Sequence, residues 1–147
     1  MNIREQVHSK IRRLSTVSND EFKILLDKYI KMIIKIFATS KQLKEELVEY
    51  DGVYQISITD IDFNCWFKLH RGNITYQKGK NEDSTIKFYI KKDLLLEIIQ
   101  LKKGASHLYM KGLIKVEGDL SDALKFRKFL DISMKYVRYI TKNQKNK

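Results

Sequence analysis

The hydrophobic period of this chain changes twice, and nothing else in it restricts the fold as much. Up to residue 37 apolar side chains recur every three to four positions, the spacing of a helix face. After Asp51-Gly52 they recur every second position, and from Asp93 the helical spacing returns. Within 147 residues this order describes one domain in which helices precede and follow a sheet.

The first helical block opens where Asn19 and Asp20 offer capping side chains, with Glu21 in the first turn. Lys23, Asp27, Lys31 and Lys35 form one polar stripe. Phe22, Leu25, Leu26, Tyr29, Ile30, Ile33, Ile34 and Phe37 cover most of the remaining circumference, more than one packed face requires. Residues 1–18 are mixed and polar, an N-terminal arm that is either a short helix or loose. A short helix is expected near 41–48.

In the strand block Tyr54, Ile56 and Ile58 alternate with Gln55, Ser57 and Thr59. Phe63, Cys65, Phe67 and Leu69 alternate with Asn64, Trp66, Lys68 and His70, and Arg71-Gly72-Asn73 is a tight-turn signal into a hairpin partner at 74–78. A polar loop leads to a fourth strand at 84–90. Short sequential links predict a largely antiparallel sheet. Helical spacing at 93–101 and 105–110 is followed by a fifth strand at 113–117. Asp119 then caps a helix that runs to about residue 140.

Charge and composition limit what such a domain does. Lys and Arg number 29 against 18 Asp and Glu, a net +11, which favours polyanionic partners. From 125 to 147 there are eight basic residues and one acid, Asp131, with a basic tail at 141–147. No segment approaches the roughly 20 uninterrupted apolar residues of a membrane span, and the N-terminus lacks the apolar core of a signal peptide. The single cysteine, Cys65, excludes a disulfide framework, so a cytoplasmic protein is the simplest reading.

No catalytic constellation stands out. His8, His70 and His107 never pair at metal-ligand spacing, and Cys65 falls in phase with the core residues Phe63 and Phe67. Serine-nucleophile, phosphate-loop and dinucleotide signatures are absent. The chain is therefore read as a non-enzyme without metal or cofactor. Trp66, Tyr76 and Tyr89, with Lys68, Lys78 and Lys87, offer an aromatic and basic platform of the sort that binds nucleic acid. A half-exposed sheet face gives the same pattern without a partner, so this remains the alternative from a different class.

One segment is more specific. Trp66 in a strand precedes the Gly72 turn. Asp83-Ser84-Thr85-Ile86 opens the next strand, and an apolar helix follows. Gly112-Leu113-Ile114-Lys115-Val116-Glu117-Gly118-Asp119 then leads into the last helix. In order and spacing this resembles the sterol carrier protein 2 family, over about residues 19–136 and most closely over 84–124. Where that family usually has a Gly-Lys step after the apolar helix, and often a proline, this chain has Leu101-Lys102-Lys103-Gly104 and no proline anywhere.

The resemblance implies an α+β fold in residues 19–140: a five-stranded, mainly antiparallel sheet backed by helices that enclose an apolar tunnel. It implies non-enzymatic binding and transfer of a sterol, fatty acid or fatty acyl-CoA. The variant within the same fold is an accessory module that presents a lipid-like substrate to a partner enzyme. The expected lipid-binding wall comprises Ile30, Ile33, Phe37, Phe67, Ile98, Leu108, Leu124, Phe126 and Leu130. On the last helix Arg127, Lys128, Asp131, Lys135, Arg138 and Lys142 fall within an arc of about 100°. Lys128, Lys135 and Lys142 are the expected contacts to an anionic membrane surface, with a solvated helix face as the plainer account.

Overall fold

A computed structural model describes residues 2–143. The elements are α1 (Ile3–Leu14), α2 (Asn19–Ala38), α3 (Lys41–Glu46), β1 (Gly52–Ile58), β2 (Phe63–His70), β3 (Asn73–Lys78), β4 (Ile86–Ile90), α4 (Lys92–Ile99), α5 (Ala105–Met110), β5 (Lys115–Gly118) and α6 (Leu120–Asn143). The expected order of helix, strand and helix blocks is present throughout.

Of the two alternatives for the N-terminal arm, its described residues, 2–18, contain the helix, capped by Asn2. Val7 and Leu14 of α1 are fully buried, and α1 packs on both α2 and α6. The cap of α2 is Ser18, whose hydroxyl accepts from the Glu21 amide at 3.3 Å. Asn19 and Asp20 instead begin the helix, and the Asn19 side chain accepts from Lys92 Nζ at 2.9 Å. Asp119 does cap α6, accepting from the Ser121 amide at 3.0 Å. That helix continues through Thr141, which is buried, into the expected tail; residues 144–147 of the tail lie outside the described residues.

The sheet has the order β3-β2-β1-β4-β5. All neighbours are antiparallel except β1 and β4, which run parallel, Ile56 opposite Phe88. The sheet is thus mostly antiparallel, as expected, but it is not a simple meander. From β3 at one edge the chain must cross two strands to reach β4. Residues 79–85 make that crossing over the outer face, and the crossing is anchored there. The Asn81 amide donates to Gln55 Oε1 at 2.9 Å, and the Thr85 amide donates to the Val53 carbonyl at 2.8 Å. Gln55 and Ser57, expected on a solvated face, are therefore buried, and the Gln55 side chain donates to the Ser57 hydroxyl at 3.2 Å.

Two turns show why particular residues stand where they do. His70 pairs with Asn73, so Arg71 and Gly72 alone reverse the chain, with φ of 51° and 82°. Two successive positive φ values define the turn whose twist suits an antiparallel pair. A Cβ on Gly72 would lie 2.5 Å from the Lys44 carbonyl oxygen, so α3 also requires the glycine. At the end of α4 the Leu101 and Lys102 amides bond back to Ile98 and Glu97 at 3.0 and 2.9 Å. This paired closure puts Leu101 in the left-handed region at φ 61°, a position usually held by glycine. The helix thus ends tightly without the Gly-Lys step.

The inner sheet face meets α2, α4 and α6 in one continuous core that holds Tyr54, Ile56, Cys65, Phe67 and Phe88. Strand alternation places these residues inward as the period-two pattern predicts. The same alternation breaks the aromatic platform. Tyr76 pairs with Phe67 and so faces the helices, where its hydroxyl donates to Asp27 Oδ1 at 2.7 Å; Lys78 pairs with inward Cys65. Only Trp66 and Tyr89, with Lys68 and Lys87, remain on the outer face.

Candidate functional site

Between the sheet and three helices the core is left incompletely filled. The cavity is about 90 Å³ in volume. Its floor is Ile56 and Ile58 of β1 with Cys65 and Phe67 of β2. Leu26, Tyr29, Ile30, Ile33, Ile34 and Phe37 of α2 form one wall, and Leu95, Ile98 and Ile99 of α4 another. Phe129, Leu130, Ser133 and Met134 of α6 complete it. No charged side chain is part of this lining.

The over-apolar circumference of α2 now has a local reason. Leu26, Tyr29, Ile33 and Phe37 are buried at the spacing of one face, whereas Ile30 and Ile34, on its flank, are only half buried. Leu95, Leu130 and Met134 share that intermediate exposure. These five side chains mark where the cavity approaches the surface, between α2, α4 and α6.

Six of the nine expected wall residues surround the cavity: Ile30, Ile33, Phe37, Phe67, Ile98 and Leu130. The other three are placed elsewhere. Phe126 is fully buried, but its ring stacks on Tyr54 at 4.8 Å and meets Phe88 edge-on at 4.5 Å. Leu108, a residue of α5, is fully buried but is not part of the cavity lining. Leu124 is 39% exposed and lies with Tyr109, Leu120 and Arg127 around a separate cleft at the start of α6. The reason is rotational: at 3.6 residues per turn, Leu124 and Phe126 point about 160° apart, and only the Phe126 side meets the sheet. The residues that the expected wall omits include Tyr29, Ile58, Cys65 and Ser133. Their apolar or in-phase character was visible in the sequence, but which neighbours leave a gap is not a property of periodicity.

Cys65 sits on the cavity floor, and burial pushes its thiol up to about 12. It is thus a protonated small apolar residue at neutral pH. His70, on the same strand, alternates to the opposite face, where Nδ1 lies 3.0 Å from Asp51 Oδ1. His107 is exposed on α5. No group of three or more metal-ligating side chains occurs among the described residues. None of their helices is long and apolar enough to cross a membrane.

Lys128, Lys135 and Lys142 are exposed on α6. Part of the charged arc beside them is engaged within the protein. Asp131 accepts from the Ser106 hydroxyl at 3.0 Å, and Arg138 reaches the Leu101 carbonyl at 3.5 Å. Lys135 borders a groove of about 160 Å³ between α3 and α6 that also contains Glu46 and Tyr139.

Comparison with known proteins gives three findings. The model of the SCP-2 sterol transfer family matches residues 33–131. No curated protein matches the chain. Among solved structures, sterol carrier protein 2 from Yarrowia lipolytica in its apo form is similar at a TM-score of 0.55 and 19% identity, covering 72% of this chain and 90% of that one. UbiJ-SCP2, described as a ubiquinone synthesis protein, gives 0.55 and 14%, covering 76% and 98%. A double mutant of the sec-alkyl sulfatase PisA1 gives 0.50 and 20%, covering 56% of this chain and only 13% of the sulfatase.

Proposed function

This chain belongs to the SCP-2 sterol transfer family, and from that footing we propose that it binds one hydrophobic lipid between its sheet and helices α2, α4 and α6 and transfers it without catalysing a reaction. The observation that carries the reading is an uncharged, carbon-lined cavity with a half-exposed rim, placed where α2 is apolar over most of its circumference. Burial of ligand carbon at roughly 25 cal/mol per Å² supplies affinity without any catalytic group. The ligand is a sterol, a fatty acid or a fatty acyl-CoA.

Size sets the mechanism of loading. A cavity of about 150 Å³ holds a benzene. The cavity here, at about 90 Å³, is smaller than that. A lipid therefore enters by parting the rim, with Ile30, Ile34, Leu95, Leu130 and Met134 moving outward. These side chains lose the least packing on moving, because they are already half exposed. The test is direct. A fluorescent fatty-acyl probe should bind one per chain and be displaced by unlabelled lipid, and organic extracts of the purified protein should contain a stoichiometric lipid by mass spectrometry. Absence of binding in both would refute the reading.

Transfer requires contact with a donor membrane, and exposed Lys128, Lys135 and Lys142 are proposed to supply it. Each lysine near an anionic surface contributes roughly 1 kcal/mol, so three give about 3 kcal/mol or a factor of about 100 in partitioning. Changing all three to glutamate should slow transfer from anionic vesicles at low salt and leave affinity for a soluble probe unchanged. Equal transfer rates would reduce the arc to a solubility feature.

A second reading is favoured by two of the similar structures. One is described as a ubiquinone synthesis protein, and in the other the matching part is a small share of a sulfatase. In that reading the domain presents a lipid-like substrate to a partner enzyme in the cytoplasm. Co-purification of one enzyme whose turnover of a lipid substrate depends on this chain would distinguish it from a free carrier.

A further inference from the structure

The outer face of the sheet, turned away from the lipid cavity, carries a polar cleft of about 250 Å³. Strand alternation builds it. Asn64, Ser57 and Tyr89 stand side by side on β2, β1 and β4, because Ser57 pairs with both of the others. Lys87 precedes Tyr89 by two residues on β4 and so points the same way. Lys80, from the segment that crosses the sheet, forms one wall, and Thr59 and Asp62 of the β1–β2 turn form another. Ile58 is the one purely hydrocarbon side chain in the lining.

Charge and shape restrict what fits there. Lys80 and Lys87 pair with no carboxylate among the described residues. Glu117, the cross-strand neighbour of Lys87, bonds instead to the Tyr89 hydroxyl and lies 4.0 Å from Lys115 Nζ. That ammonium in turn lies 5.7 Å from the Tyr89 ring centre, so two residues outside the lining hold the ring in place. The acid in the lining itself is Asp62, one carboxylate against two ammonium groups. The fold also limits length. The crossing segment rests on β1, where the Asn81 amide donates to Gln55, and Trp66 lies on β2 opposite Gln55, outside the cleft. A nucleic-acid strand laid across both rings would have to climb over that segment, so the surface suits one short ligand and not a polymer.

We propose that this cleft binds a nucleoside monophosphate, with its phosphate on Lys80 and Lys87, its base against Tyr89 and its ribose hydroxyls donating to Asp62. Each part of the lining has a counterpart in such a ligand. Lysine ammonium groups are compact phosphate-binding charges. A base stacks on a tyrosine ring whatever its identity. A carboxylate repels a bare anion but accepts from a ribose, as acidic residues do in other nucleotide sites. A cavity of about 150 Å³ holds a benzene, so the larger cleft has room for more than one ring. The sheet separates the cleft from the lipid cavity, and the proposal does not rest on the lipid reading.

The experiment is calorimetric titration of the whole chain with AMP at low salt. AMP should bind one per chain with a Kd below about 1 mM, and adenosine and inorganic phosphate should each bind at least about tenfold more weakly. Lys80→Ala and Lys87→Ala should each weaken AMP about tenfold, and Tyr89→Leu by at least about fivefold. Asp62→Ala should weaken AMP and leave inorganic phosphate no weaker. Lys68→Ala, beyond the crossing segment, should change nothing. Failure of AMP to bind, inorganic phosphate that equals it, or binding unchanged in both lysine variants overturns the inference. So does a short oligothymidylate that binds more tightly than AMP and loses that advantage in Trp66→Ala, which would make the face a nucleic-acid surface. Each of these outcomes leaves the lipid reading standing, because none of the ligands or variants touches the helix side of the sheet.

Discussion

Two neighbouring parts of the same core are built from the same kinds of residue and end differently. Where α6 meets β1 and β4, Phe126 stacks on Tyr54 and abuts Phe88, and Phe129 follows with its ring centre 6.1 Å from that of Phe126. Rings fill that space. One turn further along α6, Leu130, Ser133 and Met134 face the isoleucines of α2, and about 90 Å³ stays empty. There the rings of Tyr29, Phe37, Phe67 and Phe129 stand in the wall among branched aliphatic side chains, and none of them reaches across the gap. A void costs the contacts its lining fails to make, so one that persists in a core of this quality is an expense that binding can recover.

The comparison is broken most severely by removing a ring from the filled side. Phe126→Ala should cost about 3–5 kcal/mol in urea unfolding, since it leaves a cavity between two aromatic neighbours. The next contrast adds carbon on each side. Val137, fully buried and away from the cavity, should lose about 1–3 kcal/mol on replacement by phenylalanine. Ile30→Phe should cost less than about 1 kcal/mol, because the extra carbons enter empty space or the rim, yet weaken fatty-acyl probe binding by at least tenfold. If both substitutions cost the same, the two regions are packed alike and the comparison fails.

A smaller effect tests what holds α2 against the sheet. Tyr76 of the edge strand donates to Asp27, which also pairs with Lys31 at 3.0 Å. Burial alone would raise the Asp27 carboxyl, but the Tyr76 hydrogen bond and Lys31 outweigh it and hold the carboxyl below its ordinary value. A depressed folded value means that the stabilisation is complete above about pH 4. It is lost as pH falls through the lower folded value. Tyr76→Phe should cost about 1.5 kcal/mol at pH 7 and flatten that acid loss. NMR titration of the Asp27 carboxyl should show its midpoint move up toward the ordinary range.

The mildest changes concern the cavity floor and the histidines. Cys65→Ala should cost about 1 kcal/mol and leave lipid affinity within a few-fold. His70→Ala and His107→Ala should alter neither binding nor stability measurably, since both side chains are exposed. Hydrolysis of a lipid ester that disappears with any of these three changes would make the protein an enzyme.

Local order was legible in the residues themselves. Alternation at Phe63, Cys65 and Phe67 assigned a strand and its inward face, and the apolar breadth of α2 marked it as the helix with most to bury. Arg71-Gly72 announced its turn because two positive φ values leave few residue choices. These are properties of a few consecutive residues, so neighbours suffice to determine them.

What the tertiary structure decided depends on groups far apart in the chain. That β4 lies beside β1, in parallel, follows from the path of residues 79–85 across the outer face, and that path is what buries Gln55 and Ser57. The separation of Tyr76 from Trp66 followed from strand pairing. The void between α2, α4 and α6 is a small difference between the volume five elements enclose and the volume their side chains fill. Leu130 and Phe126, both apolar and four residues apart on one helix, fall on opposite sides of that difference. A periodic pattern records which way each side chain points; only the assembled elements determine whether anything meets it there.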